Sequence, residues 1–135
     1  MCRNQPVPSF SILGIHEIST DLPHGTSHLV SLVDPTAVLP EVVVRANLQG
    51  RCTIRVHDAL EGFPDKVAPS LETALQLCEF ADSIRNDAIQ HLLFHCELGR
   101  SRSAAAAAIV LTKIYGIEPH DIFACLLYTS DAADE

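Results

Sequence analysis

Apolar and polar positions along the chain alternate between two periods. Phe10 to Ile15 (FSILGI) is a short apolar run followed by the polar stretch EISTDLPHGT, and His28 to Val33 (HLVSLV) is a second run closed by Asp34-Pro35. Cys52 to His57 (CTIRVH) alternates polar with β-branched residues, and Gln90 to Phe94 opens a fourth segment of the same kind. Four strands are predicted. Between the third and fourth, Leu71, Ala74, Leu75, Cys78, Ala81 and Ile84 recur at helical spacing, with Ser70 as N-cap and Glu72 in the first turn. That stripe predicts the buried face of a helix, with Cys78 as a core residue. After the fourth strand, Ser103 to Tyr115 predicts a second helix stopped by Gly116, and Pro119 suits the first turn of another.

Strand, helix and strand in alternation predict an α/β fold: a single domain with a central, mainly parallel sheet of about four strands and helices on both faces. No internal repeat or linker divides the 135 residues. A composition of 47% hydrophobic and 19% charged residues suits a folded chain with one core. The formal charge of −8 argues against nucleic acid held on a broad basic surface. No apolar run approaches the roughly 18 residues that span a bilayer, and the start, MCRNQPVPSF, lacks a continuous hydrophobic leader segment, so no membrane association and a cytoplasmic location are expected.

The five cysteines, Cys2, Cys52, Cys78, Cys96 and Cys125, are scattered and odd in number, against both a disulfide framework and a zinc ribbon. The seven histidines are dispersed too. His91 and His95 share a predicted strand without a matching pair elsewhere, so no metal site is expected.

The chemistry concentrates in LFHCELGRSRSAAAAA, residues 93–108, which joins the fourth strand to the second helix. In a parallel sheet that junction lies at the carboxyl edge, where ligands bind. A turn entering a helix N-terminus aims backbone N–H groups at one point, and the helix dipole adds partial positive charge. Such a cradle suits an anion and stabilises a thiolate, so Cys96 is a candidate nucleophile. Arg102 offers a planar fork matched to two phosphate oxygens, which Lys lacks, and Gly99 permits the positive φ that a tight anion-binding loop often demands. A lone cysteine after a strand is ordinarily a small hydrophobe. Gly99, Arg102 and Ser103 at their fixed offsets from Cys96 turn the reading towards catalysis.

The segment HCELGRSRS, residues 95–103, resembles the His-Cys-x5-Arg-Ser/Thr signature of the Cys-based protein tyrosine phosphatase superfamily. The order of elements from Phe10 to Ala124 resembles its small dual-specificity branch, and a bacterial group within it with a VHD strand end and an alanine-rich helix after the loop. The resemblance implies a phosphatase-like domain that hydrolyses phosphotyrosine, with phosphoserine and phosphothreonine as a wider range, through a phosphocysteine on Cys96. Arg102 would grip the phosphate, within a loop of Glu97, Leu98, Gly99, Arg100 and Ser101. Glu97 and Arg100 are the least constrained of these, at the rim or in solvent. Ser103 would donate a hydrogen bond to the sulfur and ease breakdown of the intermediate. His95 would be mostly buried, ordering the loop and helping to lower the thiol pKa. No cofactor is implied, and the partner is a phosphorylated protein or a small phosphoester.

A phosphocysteine mechanism also needs a general acid. Asp58, ending TIRVHD, is the first choice, and Asp65 in FPDKVAPS, 31 residues before Cys96, is the second. Gly62 and Pro64 make a movable segment there reasonable. Two other classes fit the same residues: a phosphate-binding module without turnover, and a rhodanese-like domain or its cell-cycle phosphatase counterpart. The final stretch CLLYTSDAADE, residues 125–135, resembles a translated adaptor from a sequencing library. On that resemblance the domain occupies residues 1–124 and is truncated at its C-terminus, with residues 125–135 a non-native tail.

Overall fold

The strands β1 (Ser9–Gly14), β2 (His28–Val33), β3 (Gly50–Arg55) and β4 (His91–Cys96) form one sheet in the order β1-β4-β2-β3, every pairing parallel. This computed structural model describes residues 8–18, 21–57, 69–97, 101–118 and 120–121. The α/β class and the four-stranded parallel sheet are those expected. β2 and β4 take the centre because HLVSLV and HLLFHC are buried at all six positions, as strands covered on both faces must be. β1 and β3 are the edges, where partly exposed residues are tolerated.

Alternation along the strands divides the core into two layers. Ile12, Val30, Leu32, Ile54, Leu92, Phe94 and Cys96 point to one face and pack under α2 (Leu71–Ile84) and α3 (Ser101–Tyr115), against Leu77, Ala81, Ile84, Ala106, Ala107, Val110, Leu111 and Ile114. Leu29 and Leu93 point to the other face, beneath Val43 of the short helix α1 (Glu41–Arg45) and Ile18. Helices therefore lie on both faces, unevenly. Ala106 and Ala107 are fully buried, and their lack of bulk lets the α3 backbone lie close to the sheet. Gly116 ends α3 with φ 71° and donates its N–H to the Thr112 carbonyl at 2.9 Å, the left-handed cap that glycine adopts most readily.

Two expectations are corrected. The buried face of α2 is Thr73, Leu77, Ala81 and Ile84, whereas Leu71 is 75% and Leu75 53% exposed. The predicted and observed stripes share Ala81 and Ile84, and α2 carries apolar residues over an arc wider than the sheet contact, so spacing alone does not choose between them. Cys78 consequently moves out of the core to a half-buried position in a shallow apolar hollow beside Ala108, Ile109 and Thr112. Ser70 does precede α2 in extended conformation, and its N–H donates to Thr73 Oγ1 at 3.1 Å. Helix α1 has no counterpart in the sequence reading, since its β-branched EVVVR lacks helical character. Strand ends differ by one or two residues. Pro119 and residues 122–135, including the suspected tail, lie outside the described residues. Among the described residues no helix is long and apolar enough to cross a membrane.

Candidate active site

Cys96 is the last residue of central strand β4, and Arg102 and Ser103 stand in the first turn of α3. The parallel register brings the ends of the other strands to the same edge, with Gly14 opposite Cys96 in β1 and Leu32 opposite it in β2. One edge of the sheet therefore gathers what the sequence spreads over ninety positions.

The Cys96 side chain is buried, and its Sγ lies 3.2 Å from Ser103 Oγ, itself fully buried. Either atom can be the donor in this pair. The Arg102 side chain is only 5% exposed. Its Nη1 donates to Asp34 Oδ1 at 2.9 Å and to the Val56 carbonyl at 2.8 Å, tying the start of α3 to the ends of β2 and β3. Its buried Nε has no hydrogen-bond partner among the described residues. A buried guanidinium N–H left unpaired is costly unless something bonds to it. Desolvation alone would raise the Asp34 carboxyl, but the hydrogen bond and charge of Arg102, with the Glu97 side chain alongside, hold it below the ordinary carboxylate value.

Glu97 is half-buried and engaged. Its Oε1 accepts the Asp34 N–H at 2.7 Å, and its own carbonyl accepts the Ile15 N–H at 3.2 Å. The side chain thus braces the ends of β2 and β4, a task the rim position expected for it did not include. His95 is fully buried with Nε2 2.7 Å from Ser31 Oγ, so β4 is also tied to β2 behind the cysteine. Burial pushes the His95 pKa down to about 4, with the Cys96 backbone opposing only in part. The ring is neutral at physiological pH. It can act on the neighbouring sulfur through dipoles and backbone order but not as an imidazolium.

Leu98, Gly99 and Arg100 and both acid candidates, Asp58 and Asp65, lie outside the described residues. Ser101 opens α3. Sequence reasoning missed Asp34, the Val56 carbonyl and Ser31. Asp34 was read only as the polar stop after an apolar run. That position was itself a signal, because a carboxylate just past a largely apolar strand in a parallel sheet stands at the ligand-binding edge.

A second polar cluster occupies the opposite edge. Ser27 Oγ is 2.7 Å from His28 Nδ1, and His28 Nε2 is 2.9 Å from Asp87 Oδ2. The residue types are those of a hydrolytic triad, yet Ser27 Oγ also accepts the Gln90 N–H at 3.0 Å. The cluster fastens the turn before β2 to the turn before β4. His91 is likewise occupied, by Ser9 at 2.7 Å and Ser11 at 2.9 Å on β1. Among the described residues no three His, Cys, Asp or Glu side chains are grouped to hold a metal ion.

No protein-family model matches the chain, and no curated protein matches it.

Proposed function

We propose that this chain is a phosphomonoester hydrolase acting on phosphotyrosine, and on phosphoserine and phosphothreonine more widely, through a phosphocysteine intermediate on Cys96. One observation carries the reading: a buried thiol beside the Ser103 hydroxyl at the start of a helix, where the residue before Ser103, Arg102, holds a buried guanidinium with Nη1 anchored and Nε unpaired among the described residues. A dianionic phosphoryl group would supply the acceptor that Nε lacks and would meet the positive end of α3.

The chemistry follows from these groups. The Cys96 thiolate attacks phosphorus as the bond from phosphorus to the leaving oxygen breaks, and an aspartic acid protonates that oxygen. Asp58, two residues beyond the Val56 carbonyl that Arg102 grips, is the favoured acid, and Asp65 is the alternative. Water, deprotonated by the same carboxylate, then attacks the phosphocysteine. Inorganic phosphate leaves, and the sulfur departs as a thiolate beside the Ser103 hydroxyl. Arg102 holds two equatorial oxygens through both displacements. No cofactor enters the scheme. The partner is a phosphorylated protein or a small phosphoester, and the proposed compartment is the cytoplasm, supported by the free thiols of Cys52 and Cys78.

Turnover of para-nitrophenyl phosphate by the wild type, Cys96→Ser, Arg102→Lys, Asp58→Ala and Asp65→Ala tests this. Activity is expected in the wild type and none in Cys96→Ser, with one aspartate variant losing the fall in rate that deprotonation of the acid causes as pH rises. Phosphopeptide binding without turnover would replace the hydrolase with a binding module. Thiosulfate sulfur transfer would replace it with a rhodanese-like activity.

A further inference from the structure

The contact between Arg102 and Asp34 has a direction. Both described bonds of the guanidinium leave from the same nitrogen, Nη1, one to the Asp34 carboxylate and one to the Val56 carbonyl. Nε, buried alongside, is unspent among the described residues. An arginine held at one corner cannot swing its fork, so its remaining donors present a fixed geometry. Asp34 is fixed in turn, because its N–H is bonded to the Glu97 carboxylate, one residue beyond the cysteine. The carboxylate, the guanidinium and the nucleophile's own strand thus form one closed circuit.

We propose that Asp34 is a positioning residue for phosphate capture: by anchoring Nη1 of Arg102 it orients the rest of the guanidinium towards the phosphoryl group bound over Cys96. The inference rests on the hydrolase reading and adds to it a residue that never touches substrate. Asp34 is 42% exposed at its side chain, which leaves it open to substitution without excavating the core.

The test compares wild type, Asp34→Ala and Asp34→Asn for kcat and KM on para-nitrophenyl phosphate, for competitive inhibition by inorganic phosphate, and for thermal midpoint. Asp34→Ala is expected to lose on the order of tenfold to a hundredfold in kcat/KM, the usual penalty for a misaligned binding group, with phosphate inhibition weakened in proportion. Asp34→Asn keeps an acceptor oxygen and is expected to recover most of both. A merely structural role would lower the thermal midpoint and the active fraction while leaving KM and phosphate inhibition at their wild-type values. That result overturns the proposal, as does an Asn variant as impaired in phosphate inhibition as the Ala variant. If Asp34→Ala does not fold, Asp34→Glu, which moves the carboxylate by one methylene, carries the test, and unchanged phosphate inhibition overturns the proposal. A wild type that neither turns over substrate nor binds phosphate refutes the hydrolase reading instead, a result distinguishable because it precedes any change at position 34.

Discussion

Replacing His95 by glutamine removes a proton-binding group from the centre of the fold, and the consequence depends on pH. The ring is fully buried and packed between central strands, with Nε2 on Ser31 Oγ at 2.7 Å. Burial lowers its pKa from 6.5 to about 4. At about 1.4 kcal/mol for each pKa unit, forcing a proton onto the folded ring costs about 3 kcal/mol, a sizeable part of the stability of a small domain. The unfolded chain binds this proton more readily than the folded one, so stability is full above pH 6.5, falls as the pH drops to about 4, and loses nothing more to this group below that. His91 shifts in the same direction through burial, and Asp34, held below its ordinary value, adds its own loss at more acid pH. The His95→Gln protein keeps both of those and loses only the His95 contribution, so the difference between the two proteins isolates it. At pH 7 the variant is expected to be less stable by about 1–3 kcal/mol, because the buried Ser31 hydroxyl loses its partner. Urea denaturation at steps from pH 7.5 to 4 should show the stability difference moving by about 3 kcal/mol in the variant's favour, closing or reversing that gap, as the wild type alone pays for protonation. Wild-type and variant curves that stay parallel over the whole range would refute the argument that His95 is held neutral by burial.

Further outcomes concern the core and the helix ends. Phe94→Ala, at a fully buried site in the main layer, is expected to cost about 3–5 kcal/mol in denaturant unfolding. Leu71→Gln should change stability by less than about 0.5 kcal/mol, whereas Leu77→Gln should prevent a cooperative urea transition, and reversed results would restore the helix face that spacing predicts. Gly116→Ala, at φ 71°, should lose about 1 kcal/mol and lower the thermal midpoint, with Gly116→Asn losing less.

Much of this molecule was readable before folding was considered. The apolar runs at residues 28–33 and 90–94 mark strands because only a strand buried on both faces tolerates so little polarity, and β2 and β4 stand at the centre of the sheet. Ser70 and Gly116 mark helix ends because the unpaired backbone groups there need a particular residue. Residues 95–103 are similarly local: thiol, guanidinium and hydroxyl lie within eight positions of the sequence, and Cys96 at the end of β4 and Ser103 at the start of α3 meet at 3.2 Å. Three features were settled only by the tertiary structure. Which part of the apolar arc of α2 meets the sheet depends on how α2 docks beside α3, so Leu71 and Leu75 were misplaced. Helix α1 covers Leu29 and Leu93 against the β-branched preference of its own residues. Asp34 and Arg102, 68 positions apart, meet only because β2 lies beside β4 in the sheet. Propensity and capping act over a few residues and can be read there. Strand order and helix docking are settled by burial of the whole surface at once, and the partners of the arginine follow from that.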